Sequence, residues 1–181
     1  DYNSNVLTKY FCDKFWKMPK IEPKNFNLIL RYCKRHNIKI IIPTSDLELS
    51  FWSKFRDNFF DHEIFVMVSS ISTIKSCHNK LIFYRRLKSI NSIVFTSSKV
   101  DGFNDNEKIV VKKKNGSSSK DIFFLKKKQI KDQPELNSKN FIFQKFYNGK
   151  EISIDCYFSS KNNKLVNIIP RQRNLIINGE S

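Results

Sequence analysis

Residues 108–125 have the sequence KIVVKKKNGSSSKDIFFL, and the interpretation of the fold starts from this stretch. Two segments rich in β-branched and aromatic residues, 108–112 and 122–125, flank a small polar loop, which predicts two strands joined by a turn. Small residues let a loop approach phosphates with its N–H and hydroxyl groups, and the flanking lysines supply countercharge. A surface hairpin in a lysine-rich protein would explain the same pattern equally well. The glycine–lysine signature of a P-loop is absent.

Towards the N-terminus, segments with helical periodicity alternate with short apolar segments. This alternation is typical of an open, mostly parallel sheet with covering helices. The predicted elements are helices at 5–15, from Pro23, from Ser45 or Asp46 and from Ser70, and strands at Ile38–Ile42 and Ile64–Val68.

After about residue 92, strand-like segments follow one another without helices, so an antiparallel part is expected here. The predicted strands are Lys108–Lys112, Ile122–Leu125, Asn140–Phe146, Glu151–Phe158 and Lys164–Ile169, with a polar loop at Lys126–Ser138 and a tight turn at Asn162-Asn163. This change predicts two domains, at 1–75 and 76–181.

The net charge of +16 is concentrated in one stretch, because residues 112–131 hold eight Lys against one acid. Such a balance favours anionic partners. A nucleic-acid-binding module would need aromatics interleaved with these lysines. Phe123 and Phe124 are adjacent on a predicted strand, so at least one is expected to face the core. Nucleic acid is therefore the weaker alternative.

Composition narrows the class of protein further. With 40% hydrophobic residues and 17 Phe the chain can build a core, and no apolar run reaches the length of a membrane span. The spacings of the four cysteines fit neither a zinc site nor a disulfide framework, and this predicts a reducing, cytoplasmic location. The cysteines are Cys12, Cys33, Cys77 and Cys156.

Two later stretches carry candidate site residues. In 140–155, a predicted strand ends in Gln-Lys-Phe-Tyr and another begins after Asn148-Gly149. A hinge between two sheets would offer backbone groups to an adenine edge, whereas an ordinary hairpin is the plain alternative. In 169–180, Arg171 and Arg173 share one face of a predicted strand. Such a pair suits phosphates or carboxylates but is more often a solvated face.

The order of these motifs resembles a known family. PTSDLE at 43–48 follows a strand, Asn79-Lys80 begins a helix, and the lysine-flanked loop comes next. QKFYNGKEISID at 144–155 then precedes PRQR, with a Gly-Glu pair close behind. This order resembles the ATP-grasp superfamily, most closely the members similar to the carbamoyl-phosphate synthetase large chain, over nearly the whole sequence.

The resemblance implies an α/β fold in which a partial Rossmann-like, pre-ATP-grasp domain precedes an incomplete ATP-grasp α+β domain. Residues 43–48 would face the cleft, and Arg171 and Arg173 would be catalytic, near the acceptor substrate or the transferred phosphate. The implied nucleotide ligands are Lys80 and Lys112 at the phosphates, Gly116, Ser117, Ser119 and Lys120 in the covering loop, Gln144, Lys145 and Tyr147 at the adenine, and Glu151 at the ribose.

The sequence departs from the family pattern at several positions. Lys113 stands where proline is usual, and Ser118 and Asp121 stand where glycine is usual. These changes predict a stiffer loop with a carboxylate near the phosphates. Lys145 replaces the usual Glu, and Asn79 the usual Asp.

The resemblance implies ATP and Mg²⁺ as cofactors, with the metal ligands beyond residue 181 and none assigned within the chain. The implied reaction joins a carboxylate to an amine through an acyl phosphate, on small-molecule substrates and without a membrane. A homodimer is a further option. A catalytically degenerate ATP-binding protein is the nearer alternative, and a basic nucleic-acid-binding module the more distant one.

Overall fold

The structure is a computed structural model that describes residues 1–116, 121–136, 139–159, 161–172 and 174. The chain divides into two compact units, Asp1–Cys77 and His78–Ser181. None of the helices in the described ranges is long and apolar enough to cross a membrane.

The N-terminal unit contains the predicted alternation of helices and parallel strands. Strand β1 (Ile40–Ile41) lies parallel to β2 (Phe65–Val66), and helix α2 (Leu49–Phe60) connects them. Helix α1 (Phe26–Arg35) begins after Pro23, as the sequence predicts. The core of this unit consists of buried side chains from both helices and from β2 and its flank, namely Ile29, Cys33, Phe51, Trp52, Phe59, Ile64 and Val66.

Two predictions for this unit are wrong. The helix expected at 5–15 is only a 3-10 turn at Leu7–Tyr10, and Phe11 is 87% exposed. A helix in a protein depends mainly on packing of its apolar face, and Leu7 and Phe11 of this segment face solvent. Helix α2 also starts without a side-chain cap from Ser45 or Asp46, because a 3-10 turn at Asp46–Glu48 precedes it.

The C-terminal unit begins at the last residue of helix α3 (Ile71–His78) and contains helix α4 (Lys80–Leu87) and the predicted run of strands. The strands are β3 (Thr96–Ser97), β4 (Lys108–Lys113), β5 (Ile122–Lys126), β6 (Phe141–Lys145), β7 (Ile152–Phe158) and β8 (Leu165–Gln172). In the described residues, one antiparallel sheet has the order β3-β6-β4-β5 and a second sheet pairs β7 with β8.

The segment expected to be a polar loop, Lys126–Ser138, contributes to the core instead. It forms a short helix α5 (Lys127–Ile130) and a 3-10 turn at Pro134–Leu136. Ile130 and Leu136 are buried against Ile109, Val111 and the apolar residues of β6. A helix of four residues is too short to show a helical period, which explains why the sequence pattern missed it.

The turn predicted at Asn162-Asn163 is confirmed between β7 and β8. Asn163 has a left-handed backbone with φ of 55°, a conformation that Asn tolerates better than most residues. The N–H of Ser159 donates to the Lys164 carbonyl across the turn.

Candidate functional site

The first part of the site is the beginning of helix α4. The Asn79 Oδ1 accepts hydrogen bonds of 3.1 Å from the backbone N–H groups of both Leu81 and Ile82. This is an N-cap interaction, and it confirms that the Asn-Lys pair begins a helix. The cap fixes Lys80 as the first helical residue.

Lys80 meets the loop that follows β4, although 36 residues separate it from Gly116. Its Nζ donates to the Gly116 carbonyl at 2.7 Å, and its backbone N–H donates to the Lys114 carbonyl at 3.0 Å. Asn79 also forms an antiparallel bridge with Asn115. The structure thus joins two motifs that lie far apart in the sequence.

Lys112 lies in the middle of the sheet, with Ile122 of β5 opposite it on one side and Ile142 of β6 on the other. Burial lowers the pKa of Lys112 below the usual range, and the charge of Lys80 lowers it further. The carboxylate of Glu151 acts in the opposite direction on the same group. Burial also lowers the pKa of Lys80. Two partly desolvated ammonium groups therefore lie close enough to repel each other, which is an arrangement suited to an anion.

The loop between β4 and β5 is described only at its two ends. Ser117, Ser119 and Lys120 lie outside the described residues, as does Ser118. Gly116 is described, and its carbonyl is the Lys80 acceptor.

The Asp121 carboxylate, which was expected near the phosphates, pairs with a lysine of β4. Its Oδ2 forms an ion pair with the Lys113 Nζ at 2.7 Å. Successive side chains of a strand point to opposite faces of the sheet, so Lys113 points away from the face that carries Lys112. Lys113 and Asp121, which both depart from the family pattern, therefore form an ion pair with each other.

Residues 146–151 connect two different sheets, because β6 belongs to the larger sheet and β7 to the smaller one. The hinge interpretation is confirmed in this respect, and the plain hairpin is wrong. The Gln144 Nε2 donates to the Thr96 hydroxyl at 2.6 Å, while the Lys145 Nζ lies 3.9 Å from the Glu107 carboxylate. Tyr147 is exposed.

A cluster of Lys108, Phe124 and Phe146 was not recognised from the sequence. The Lys108 Nζ lies 4.0 Å from the centre of the Phe146 ring, and the two Phe rings meet edge to face at 5.7 Å. Phe124 is 56% exposed. The alternation of β4 was the available signal, since it places Lys108 on the same face as Lys112.

Arg171 lies on the smaller sheet, and its guanidinium is engaged by a carboxylate of the neighbouring strand. Its Nε donates to Asp155 Oδ2 at 2.7 Å, and one Nη donates to Oδ1 at 3.3 Å. Asp155 and Arg171 are diagonal neighbours across β7 and β8, a relation that is visible only once the two strands are paired, so this partner was missed. Arg173 lies outside the described residues.

Metal binding has no support from the described side chains. Over these ranges, no group of three or more His, Cys, Asp or Glu residues could hold a metal ion.

A partly desolvated lysine pair at the junction of a capped helix and a small-residue loop is typical of nucleotide-phosphate sites. Comparison with family models agrees with this class. The model of the ATP-grasp domain matches residues 77–180, and that of the PylC-like N-terminal domain matches residues 1–67. The first match covers more than half of the chain, so the chain belongs to the ATP-grasp family. The finer likeness to the carbamoyl-phosphate synthetase large chain stays a prediction.

Among solved structures, the chain is similar to the D-alanine–D-alanine ligase from Bacillus anthracis. The identity is 16% and the TM-score is 0.47, over 86% of this chain and 59% of the ligase. The chain thus spans about three fifths of that protein's length. A search of curated proteins finds no match.

Proposed function

We propose that the C-terminal unit binds ATP as part of an ATP-dependent ligase. The observation that supports this most directly is the meeting of Lys80 and Lys112 beside the base of the small-residue loop. Burial favours loss of their charge, and a bound polyphosphate would stabilise the charged forms again. Membership of the ATP-grasp family supports ATP as the anion.

The other candidate residues take their roles from their positions around this lysine pair. Glu151 is close enough to Lys112 to affect its pKa, which suits a carboxylate at the ribose, between adenine and phosphates. The hinge around Lys145 and Tyr147 would hold the adenine through backbone groups. In the loop, Gly116, Ser117, Ser119 and Lys120 would cover the phosphates.

The proposed reaction joins a carboxylate to an amine by way of an acyl phosphate. The protein would contribute positioning and charge neutralisation rather than covalent chemistry. Arg171 and Arg173 would act near the transferred phosphate. Since Arg171 already pairs with Asp155, this carboxylate would hold the guanidinium in orientation. Mg²⁺ would accompany ATP.

Calorimetric titration with Mg-ATP tests the nucleotide site. Lys112→Ala should weaken binding about 10- to 100-fold, the loss typical of one charge-assisted hydrogen bond. Glu151→Gln should weaken it less. Lys39→Ala is a matched control, because Lys39 is an exposed lysine of the N-terminal unit whose partner is Glu63. Equal affinity of all four proteins, or no binding by the folded wild type, would contradict the proposal.

ADP release separates an active ligase from a degenerate ATP-binding protein. A screen of carboxylates with amines should yield ADP that depends on both substrates. ATP binding without such release would favour the degenerate alternative.

The second candidate, a nucleic-acid-binding module, gains one supporting observation. The exposed Phe124 lies beside Lys108 and Phe146, and an aromatic group next to a lysine suits base stacking. Binding of single-stranded DNA or RNA with a steep salt dependence, lost in Phe124→Ala, would favour this candidate. Weak binding that Phe124→Ala leaves unchanged would exclude a specific role.

A further inference from the structure

The two ends of the loop after β4 carry a pair of opposite charges. Lys113 is the last residue of β4, and Asp121 immediately precedes β5. The last ladder pair described between these strands is Lys112 with Ile122, so Lys113 and Asp121 are the next opposed positions. Their charged groups are 2.7 Å apart, and both side chains are about half exposed, at 48% and 45%.

This pair lies next to the lysine site but on the other face of the sheet. Lys112 points to the face where its pKa responds to Lys80 and Glu151. Lys113 points to the opposite face, and it holds the Asp121 carboxylate there. Asp121 has a left-handed backbone with φ of 56°, a conformation that costs a non-glycine residue some energy.

An aspartate in this position would weaken anion binding at the lysine site unless its carboxylate is kept away from Lys112. A carboxylate that turned towards Lys112 would neutralise charge needed for phosphate. At about 6 Å and an effective dielectric constant of about 40, one such charge changes the energy of a bound anion by about 1.4 kcal/mol, a tenfold effect.

We propose that Lys113 is a positioning residue that retains the Asp121 carboxylate on the face opposite Lys112, so that the lysine site keeps its positive potential. The role of the site in binding nucleotide rests on the function proposed above, whereas the retention of Asp121 does not. Lys113 therefore acts on the anion through Asp121 and not by touching it.

A double-mutant cycle separates this role from that of an ordinary structural salt bridge. The proteins are wild type, Lys113→Ala, Asp121→Asn and the double variant, with Lys39→Ala as the control for loss of one distant positive charge. Mg-ATP affinity should fall about 3- to 10-fold in Lys113→Ala and be equal to wild type or tighter in Asp121→Asn. The double variant should resemble Asp121→Asn. If Asp121→Asn and the double variant bind Mg-ATP as weakly as Lys113→Ala does, the ion pair has only a structural role, and the proposal is wrong.

A second readout needs no nucleotide. NMR titration of the Lys112 ammonium should give a higher pKa in Lys113→Ala than in wild type, because the released carboxylate then favours the charged lysine. The rise should disappear in the double variant. An unchanged Lys112 pKa in a folded Lys113→Ala protein would overturn the proposal even if ATP binds. Failure of wild type to bind ATP would instead contradict only the proposed function.

Discussion

The two sheets of the C-terminal unit are both antiparallel, but they differ strongly in burial. In the larger sheet, Ile109, Val111 and Ile142 are fully buried. In the smaller sheet, the pairing of β7 with β8 is continuous from the pair of Ile152 with Gln172 up to a register shift between Tyr157 and Phe158. Nevertheless, every described residue of β8 is exposed. Backbone pairing therefore fixes which residues are neighbours, while burial decides which sheet stabilises the unit. The lysine site lies on the buried sheet and Arg171 on the exposed one.

The largest expected effect comes from removing matched side chains from the two sheets. Ile109→Ala should lower the free energy of unfolding by about 2–5 kcal/mol, because it leaves a cavity in the core. Ile154→Ala, at a position 60% exposed, should change it by less than about 1 kcal/mol.

Urea unfolding followed by circular dichroism or amide exchange measures the difference. Tryptophan fluorescence is unsuitable, since Trp16 and Trp52 both lie in the N-terminal unit. Equal losses in the two variants would mean that the smaller sheet is covered in solution.

The second effect is a pH dependence that arises from Lys112 in the larger sheet. The lowered pKa of Lys112 means that the folded protein loses this proton at a lower pH than the unfolded chain. Stability should therefore rise with pH between the lowered and the ordinary lysine pKa, and Lys112→Met should flatten the rise. ATP affinity should show the opposite trend, being full below the lowered pKa and falling as pH rises through it. Calorimetry at a series of pH values tests both signs.

A third, smaller effect concerns the cap that holds Lys80. Asn79→Ala should destabilise the unit by about 1 kcal/mol, and Asn79→Ser should restore most of the loss. Amide exchange at Leu81 and Ile82 should accelerate in the Ala variant alone, because both N–H groups donate to the Asn79 side chain. Unchanged exchange at these two amides would contradict the assigned cap.

The smallest effect is expected for the ion pair of the exposed sheet. Asp155→Asn removes the carboxylate that binds Arg171, and exposed pairs of this kind contribute about 0–1 kcal/mol. Thermal melts at low and high salt should differ little between this variant and wild type. A loss near that of Ile109→Ala would show that the two sheets are more alike than their burial indicates.

The sequence predicted those elements whose residue types indicate a strand or a helix start without knowledge of the rest of the fold. The β-branched and aromatic residues of 108–112 and 122–125 predicted β4 and β5, and the Asn79-Lys80 pair predicted the start of α4. The short polar β3 has no such pattern and was missed. The helix predicted at 5–15 failed because apolar spacing does not reveal whether a packing surface exists.

The candidate site shows the same limit. Its lysines could be named from the motif order, but pairs such as Lys113 with Asp121 or Asp155 with Arg171 depend on strand register. Register depends on the hydrophobic patterns of both strands and on the turn geometry together, so one segment taken alone does not reveal it. The motif order assigned Lys80 and Gly116 to the same phosphates, but it did not indicate the hydrogen bond between them.

That bond between Lys80 and the Gly116 carbonyl gives the lysine site an acceptor from the protein itself. The carbonyl oxygen serves as a stand-in acceptor and satisfies one of the three N–H groups of the ammonium. A phosphate oxygen that takes this N–H from Gly116 leaves the carbonyl in need of another donor. Occupancy of the site and a change of hydrogen-bond partner at Gly116 would then be one event, so a spectroscopic label at Gly116 would report the arrival of the anion.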